Sequence, residues 1–284
     1  MPSNPAPRFM DRCNTWLLSV LPQQLLARAM YHLARSKTTW LKNTIIRYVV
    51  KRYQVDMQQA QNPNPLSYES FNAFFTRSLR AGIRPIAENA IVSPADGTLG
   101  QCGYLQQQRL LQAKGHEYSL VTLLAGDPAL AEPFTHGSFV TVYLSPRDYH
   151  RIHMPLSGSL REMIFVPGKL FSVSEATTQL VPGLFARNER LICLFDTAHG
   201  CMAVILVGAI FVGSMQTVWS GEVKAKKITR WQYTAEEAPQ LATGEELGRF
   251  NMGSTVIVLL AENRAQLLSN LTGKAIQMGQ KIAD

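Results

Sequence analysis

Cysteine is scarce in this sequence, and its placement does not form a recognisable set. The four cysteines among 284 residues include no Cys-x-x-Cys pair. Paired cysteines at short spacing are the usual mark of structural zinc sites and of disulfide frameworks. We therefore expect free thiols in a reducing compartment, and we expect no metal site.

The sequence also lacks a convincing membrane span. Its best candidate, residues 197–221, contains His199, is interrupted by three glycines and is rich in Val and Ile. This pattern favours buried β-strands over a spanning helix. A secretory signal is equally doubtful, because the short apolar stretch at 16–21 ends at Pro22 without a small-residue cleavage site. We expect the chain to stay in the cytoplasm.

The positive charge is concentrated at one end of the chain. The formal net charge is +8, yet residues 1–84 hold twelve Lys and Arg against three Asp and Glu, a net charge of +9. Apolar residues recur there at helical spacing: Trp16, Leu17, Leu21, Leu25 and Met30; Trp40, Leu41, Ile45, Val49 and Val50; and Phe71, Phe74, Phe75 and Leu79. Basic amphipathic helices suit an anionic bilayer surface. A helical layer packed on the core and a nucleic-acid contact are the other interpretations of this region alone.

Beyond residue 89 the pattern changes to short strands. Runs rich in Val, Ile and Leu alternate with Gly and Pro, at 90–92, 139–144, 162–166, 191–195, 202–211 and 255–260. The sequence therefore predicts an α+β fold, with N-terminal basic amphipathic helices followed by a β-rich core of mainly antiparallel short strands. We predict a helical region at 1–84, which would be membrane-associating on the first of these interpretations, and a β-rich core at 85–284.

Two segments hold polar residues that a packed strand would not favour. Asp96 lies in a Ser-Pro-Ala-Asp-Gly turn, which alone indicates only a turn. Residues 145–155 place His150 and His153 among arginines, between two prolines. Their His-x-x-His spacing has no further ligand pattern to complete a metal site, and imidazoles beside cations suit proton transfer near neutral pH. The alternative is a surface loop whose histidines have no chemical task.

A third segment introduces the last apolar run. Gly253 and Ser254 precede residues 255–260, and such a pair is usually only a turn. Gly253 has no Cβ to block approach to its own carbonyl. If a nearby imidazole deprotonated Ser254, the hydroxyl could attack that carbonyl within one chain, and attack of this kind gains greatly from proximity.

Taken together, these segments resemble a known family, the bacterial membrane-associated phosphatidylserine decarboxylases, which make a pyruvoyl cofactor by self-cleavage before a serine. The similarity covers most of the chain. It rests on Phe74-Phe75-Thr76-Arg77, Val92-Ser93-Pro94-Ala95-Asp96-Gly97, Tyr149-His150-Arg151-Ile152-His153-Met154-Pro155, Gly168-Lys169-Leu170-Phe171-Ser172-Val173, Leu184-Phe185-Ala186-Arg187-Asn188-Glu189-Arg190 and Gly253-Ser254-Thr255. Met252 departs from the Leu that the family often has there, a swap of similar volume.

The resemblance implies a self-cleavage triad of Asp96, His153 and Ser254. In this interpretation Asp96 orients the His153 ring, His153 takes the Ser254 proton, and the alkoxide attacks the Gly253 carbonyl. The products would be a β chain of residues 1–253 and an α chain of residues 254–284 that begins with the pyruvoyl group. The pyruvoyl would form a Schiff base with phosphatidylserine and release CO2 and phosphatidylethanolamine. His150 would assist decarboxylation.

The resemblance also implies partners and a location. We expect phosphatidylserine and an anionic membrane surface as partners, no nucleic acid, and a homodimer of the αβ unit. The expected location is peripheral, on the cytoplasmic face of the bacterial cell membrane. Arg147 and Arg151 are candidates for binding the substrate.

Two rival functions stay open at this point. A serine hydrolase would use Asp96, His153 and Ser254 on an external ester, although the sequence has no Gly-x-Ser-x-Gly motif around the serine. A non-enzymatic, peripheral anionic-lipid-binding protein would use the histidine-rich loop to hold lipid phosphate.

Overall fold

The structure is a computed structural model. It describes residues 22–113, 116–210, 214–251, 254–261, 265–269 and 271–284, and for residue 254 the backbone only. Helices come first along the chain and strands dominate after residue 90, so the predicted α+β class is confirmed.

The N-terminal helices pack around a small apolar cluster of their own. They are α1 (Gln23–Arg35), α2 (Thr39–Tyr53) and α3 (Phe71–Phe75), with 3₁₀ turns at Met57–Gln59 and Pro65–Ser67. The Ser70 hydroxyl caps α3 by accepting from the Ala73 amide at 3.1 Å. The cluster is formed by buried residues of these elements, among them Ile46, Phe71 and Phe74. The predicted helices are present at 23–35, 39–53 and 71–75, and the part of the first run before residue 22 lies outside the described residues. The third helix ends before Leu79, which forms an isolated bridge to Ala60 instead.

Seventeen strands follow among the described residues. They are β1 (Ile91–Val92), β2 (Gly97–Tyr104), β3 (Arg109–Ala113), β4 (His116–Ser119), β5 (Ser138–Leu144), β6 (Arg151–His153), β7 (Gly158–Val166), β8 (Arg190–Thr197), β9 (Gly200–Val207), β10 (Met215–Thr217), β11 (Gly221–Glu222), β12 (Thr229–Gln232), β13 (Gln240–Leu241), β14 (Glu246–Phe250), β15 (Ser254–Leu260), β16 (Ala275–Ile276) and β17 (Lys281–Ala283). Short helices lie between them: α4 (Leu120–Leu123), α5 (Pro128–Ala131), α6 (Glu175–Leu180) and α7 (Leu184–Arg187), with a 3₁₀ turn at Glu132–Phe134.

A nine-stranded antiparallel sheet is the centre of the core. Its order is β12-β7-β8-β9-β15-β5-β2-β16, and β13 also pairs with β7. A four-stranded sheet of order β11-β10-β14-β6 and the pairs β1–β17 and β3–β4 complete the strands. Along β15, Val256 and Val258 pack into one apolar cluster and Ile257 and Leu259 into another. The central strands are therefore buried on both faces, which explains their continuous apolar runs.

The apolar stretch at 197–221 forms strands, as predicted. It contains the end of β8, all of β9 and β10. Within the ranges that the structure describes, no helix has both the length and the apolar character needed to cross a bilayer.

Candidate active site

Three chain segments converge at one end of the nine-stranded sheet. Tyr143 of β5 pairs with Thr98 of β2 on one side and with Thr255 of β15 on the other. Because β5 is antiparallel to both neighbours, β2 and β15 begin where β5 ends, with their backbones about 10 Å apart. Asp96 directly precedes β2 and Ser254 is the first residue of β15. The sheet register thus brings Asp96, Ser254 and the segment after Leu144 to the same edge.

Asp96 is a buried carboxylate that Arg84 holds in place. The Arg84 Nε lies 3.0 Å and 3.2 Å from the two carboxylate oxygens, and its Nη2 lies 2.6 Å from Oδ2. The Met278 amide donates to Oδ1 at 2.9 Å. This hydrogen bonding to Asp96 raises the pKa of Arg84. Three donors therefore fix the position of this carboxylate.

His153 is bonded through both ring nitrogens. Its Nδ1 lies 2.7 Å from the Gly244 carbonyl oxygen and its Nε2 lies 2.9 Å from the Tyr149 hydroxyl. A carbonyl only accepts, so Nδ1 carries the proton and Nε2 holds the lone pair when the ring is neutral. Burial lowers the pKa of His153, and the Gly244 bond opposes that shift. The neutral ring is therefore a base at Nε2.

The orienting contact on His153 differs from our expectation. We expected Asp96 to hold the ring, but the Gly244 carbonyl and Tyr149 hydroxyl occupy the two nitrogens. The Asp96 turn meets His153 through the main chain instead, where the His153 amide donates to the Pro94 carbonyl at 2.8 Å. The Asp96 charge still favours the protonated ring. The Glu246 charge favours the protonated ring more strongly than the Asp96 charge does.

His150 is fully buried, and one of its two ring nitrogens is hydrogen-bonded to a described residue. Its Nδ1 lies 2.9 Å from the Asp148 carbonyl oxygen, and its ring stacks on Phe75 with centroids 4.0 Å apart. Its Nε2 has no hydrogen-bond partner among the described residues. Burial, with the Arg77 charge second, lowers the pKa of His150 to about 3. The ring is neutral at physiological pH, with its lone pair on Nε2.

The Gly253–Ser254 junction is held from both sides by the segment around His150. Before it, the Phe250 amide donates to the His150 carbonyl at 3.2 Å. After it, Ser254 pairs with Leu144. Gly253 and the Ser254 side chain lie outside the described residues, so the predicted contact between Ser254 and His153 stays a prediction.

Asn251 is fixed by a hydrogen-bond network just before the junction. Its amide donates to the Ser214 carbonyl at 3.0 Å, and its Nδ2 donates to the Ser214 hydroxyl at 2.7 Å. The Asn72 side chain, on α3, donates to the Asn251 Oδ1 at 3.2 Å. Arg35 of α1 donates to the same Ser214 hydroxyl at 3.3 Å. The N-terminal helices thus contact the chain beside the junction.

The two candidate arginines occupy different environments. Arg151 donates to the Thr76 carbonyl and to the Glu246 carboxylate, at 2.9 Å and 2.8 Å. Arg147 is largely exposed and lines a cavity of about 210 Å³ beside Asp96. Of the two, Arg147 has the guanidinium that faces open space next to the site.

The sequence analysis did not identify several groups at this site. Arg84, Tyr149 and Asn251 were not singled out, and Gly244 acts through its main-chain carbonyl. Tyr149 carried a signal, because it adjoins the histidine segment. No group of three or more His, Cys, Asp or Glu side chains able to hold a metal ion occurs in the part of the chain that the structure describes.

Comparison with known proteins gives one consistent result. The family model described as phosphatidylserine decarboxylase matches residues 71–284, and a model described as PSD matches residues 13–54. Similar curated proteins include three named phosphatidylserine decarboxylase proenzyme. The one from Azotobacter vinelandii is 52% identical over 270 residues, covering 93% of this chain and 94% of that protein.

The other two relatives agree with the first. The protein from Ectopseudomonas mendocina is 50% identical over 272 residues, covering 93% of this chain and 95% of its own. The protein from Pseudomonas aeruginosa (strain LESB58) is 49% identical over 282 residues, covering 97% and 98%. With matches of this identity along nearly its whole length, the chain belongs to the phosphatidylserine decarboxylase family.

Proposed function

We propose that this chain is a phosphatidylserine decarboxylase proenzyme that cleaves itself between Gly253 and Ser254. One observation carries the proposal. In a chain whose relatives are named proenzymes, the Gly253–Ser254 junction lies at the sheet edge that also holds Asp96. Ser254 begins β15 at the sheet edge where Asp96 lies, and the residues on both sides of the junction are bonded to the segment 144–150.

Self-cleavage uses groups of this chain alone. His153 Nε2 removes the Ser254 hydroxyl proton, and the resulting oxygen attacks the Gly253 carbonyl carbon. The C–N bond breaks, leaving an ester and a free amine on residue 254. Removal of the Cα proton of residue 254 then breaks its Cβ–Oγ bond. This elimination releases residues 1–253 with a terminal carboxylate. Water hydrolyses the remaining dehydroalanine, so that ammonia leaves and a pyruvoyl group blocks the 31-residue chain 254–284.

The residues around position 254 fit such a group. The His150 carbonyl is bonded to the chain before the junction, and the buried His150 Nε2 has no hydrogen-bond partner in the part of the chain that the structure describes. The pyruvoyl group supplies, once bound to the substrate amine, a carbonyl that accepts the electrons left when CO2 departs. We assign His150 Nε2 to positioning the substrate or delivering a proton during decarboxylation.

The N-terminal helices provide a surface for the bilayer. Trp40 is 71% exposed and Tyr48 63%, and both lie on the outer side of α2 with the exposed Arg47 and Lys51. Aromatic and basic side chains together suit the headgroup region of an anionic membrane. We propose peripheral attachment to the cytoplasmic face through residues 1–84. We also propose a homodimer of the αβ unit, which light scattering of the cleaved protein tests.

A panel of single variants tests the proposed roles. Ser254→Ala, His153→Ala and Asp96→Ala should each remain one chain on a denaturing gel and release no CO2 from phosphatidylserine. His150→Ala should cleave normally and turn over poorly, because its task begins after cleavage. A serine hydrolase would instead be a single chain when active, and a lipid-binding protein would be indifferent to Ser254→Ala. Either of these results would refute the proposal.

A further inference from the structure

Glu246 is a largely buried glutamate on the strand that pairs with the His153 strand. Its side chain is 20% exposed. The register of β14 against β6 places Glu246 directly opposite His153. Residues opposite each other in an antiparallel pair project their side chains from the same face of the sheet, with Cβ atoms about 5 Å apart. A carboxylate therefore lies beside the ring that acts as the base in the proposed self-cleavage.

Main-chain hydrogen bonds next to Glu246 fix this arrangement. The Met154 amide donates to the Glu245 carbonyl and the Gly244 amide donates to the Met154 carbonyl, both at 2.9 Å. The Gly244 carbonyl in turn accepts from His153 Nδ1. The His153 ring and the backbone leading to Glu246 thus belong to one hydrogen-bonded unit, and the strand pairing sets their separation.

Two arginines hold the Glu246 carboxylate. Arg151 Nη1 lies 2.8 Å from Oε2, and Arg249 Nη2 lies 2.9 Å from Oε1. Arg151 is itself anchored, because its Nε donates to the Thr76 carbonyl at 2.9 Å. Arg249 is the cross-strand partner of Arg151, and like charges in such a pair repel. Without the carboxylate, two uncompensated cations would remain beside His153.

Glu246 is one of several charged or titratable groups around the ring. Tyr149, bonded to Nε2, stays neutral because burial raises its pKa. Asp96 acts on the ring as a charge, and its carboxylate is bonded to Arg84. Burial has the largest effect on the pKa of His153 and lowers it. Among the charges, Glu246 raises this pKa most, ahead of the opposing Arg151 and of Asp96.

We propose that Glu246 is a positioning residue for self-cleavage, whose carboxylate stabilises the cation that His153 becomes when it takes the Ser254 proton. This inference rests on the proposed function, which makes His153 the base. The triad that the sequence predicts gives this task to Asp96 alone. A fixed carboxylate close to a partly dehydrated ring favours its charged form. Transfer of the Ser254 proton should therefore be faster with Glu246 present.

Titration of the His153 ring tests this role without relying on cleavage. The full chain carrying Ser254→Ala is labelled with 13C at histidine Cε1 for NMR, and the His153 signal is assigned by its absence when His153→Gln is added. Glu246→Gln should lower the pKa of His153 by about one unit or more, since a nearby opposite charge shifts a pKa by about that amount. Arg151→Gln should raise it, and the two substitutions together should largely cancel.

The matched control is Glu162→Gln. Glu162 is also a buried glutamate beside an arginine, with its Oε1 3.6 Å from Arg230 Nη1, and it lies on β7. This variant should leave the pKa of His153 unchanged. A thermal melt of each protein checks its folding. Where Glu246→Gln alone does not fold, its double variant with Arg151→Gln, compared with Arg151→Gln, gives the same difference.

The rate of self-cleavage provides the second readout, in chains that keep Ser254. In pulse–chase measurements Glu246→Gln should slow cleavage about tenfold, since one pKa unit corresponds to a tenfold change in cation formation. Glu246→Asp, which keeps the charge, should slow it less. Adding Arg151→Gln to Glu246→Gln should restore part of the lost rate. A merely structural role for Glu246 predicts the opposite, because loss of the second partner would loosen the strands further.

Three results would overturn the role of Glu246: an unchanged pKa of His153 in Glu246→Gln, no recovery of cleavage on adding Arg151→Gln, or failure of both Glu246→Gln proteins to fold. If the pKa of His153 shifts as expected but the wild-type chain never cleaves, the proposed function fails while the charge coupling between Glu246 and His153 stands.

Discussion

At the scale of single residues, two neighbouring imidazoles lie in different environments. His153 has both nitrogens bonded and lies beside the Asp96 charge, which stabilises its protonated form. His150 has one nitrogen without a hydrogen-bond partner among the described residues, and burial and the Arg77 charge lower its pKa. A base that becomes a cation during self-cleavage needs the first environment. A neutral group that meets the substrate suits the second.

Tyr149 competes for the base nitrogen of His153. Burial raises the pKa of Tyr149, so its hydroxyl stays protonated and donates to Nε2. Ser254 must displace this donor to transfer its proton, and a neutral hydrogen bond contributes roughly 1 kcal/mol. We therefore expect Tyr149→Phe to cleave as fast as the wild type or up to about fivefold faster, measured by gel densitometry over time. Cleavage as slow as in His153→Ala would mean that Tyr149 relays the proton.

The buried His150 makes stability depend on pH. Its pKa of about 3 lies below the ordinary value near 6.5. Between these values the unfolded chain binds a proton that the folded chain does not, so stability falls as pH falls. From pH 6 to pH 5, His150 should remove up to about 1.4 kcal/mol of unfolding free energy. Urea denaturation of Ser254→Ala at both pH values measures this loss.

The matched control for that measurement is the same chain with His150→Asn. The asparagine amide nitrogen replaces Nδ1 as donor to the Asp148 carbonyl but does not titrate. The fall in unfolding free energy between pH 6 and pH 5 should be smaller in the double variant by the His150 share. An identical fall in both proteins would contradict the assignment.

At the scale of elements, the N-terminal helices do more than cover the core. Asn72 of α3 and Arg35 of α1 contribute to the network that fixes Asn251, two residues before Gly253. The strand β14, which leads to the junction, pairs with β6, which carries His153. The register of two strands and one hydrogen-bond network thus fixes the chain up to Asn251, two residues before Gly253.

Loss of the Asn251 network should slow self-cleavage. Asn251→Ala removes the side-chain bonds to the Ser214 hydroxyl and to Asn72. Displacement of a reacting group by about 1 Å can cost up to a hundredfold in rate. We expect cleavage slowed about tenfold to a hundredfold in pulse–chase measurements, with the melting temperature lowered only modestly. Asn62→Ala, whose described side-chain bonds remain within its own loop, is the control and should cleave normally. Unaltered cleavage in Asn251→Ala would show that the network does not position the junction.

At the scale of the whole molecule, the basic end of the sequence becomes a helical layer with an aromatic and cationic outer side. Arg47→Glu with Lys51→Glu should reduce sedimentation with vesicles containing anionic lipid, since each basic residue near the surface contributes roughly 1 kcal/mol. The difference should shrink at high salt. The control is the double variant Arg109→Glu with Arg161→Glu, which makes the same charge change on the surface of the β-rich core. It should bind the vesicles as the wild type does. Equal binding by both double variants would contradict attachment through α2.

The sequence predicts the larger features and misses those made by main-chain groups or very short elements. Apolar runs such as 202–211 and 255–260 predict β9 and β15, because strands buried on both faces are continuously apolar. Two-residue strands such as β1 and β13 are too short for any periodicity to appear. His153 is bonded to the Gly244 carbonyl and Asp96 to the Met278 amide. Side-chain patterns cannot reveal these two partners, because both are main-chain groups. Arg84 is separated from Asp96 by a loop of ordinary composition, so only the folded chain brings them together.

Denaturing mass spectrometry of the purified wild-type protein tests the central claim most directly. Self-cleavage predicts two chains, one of residues 1–253 and one of 31 residues, with the shorter chain lacking a free amino group and carrying the mass of a pyruvoyl in place of Ser254. A preparation that releases CO2 from phosphatidylserine while consisting of one intact chain with an unmodified serine at position 254 would contradict the account.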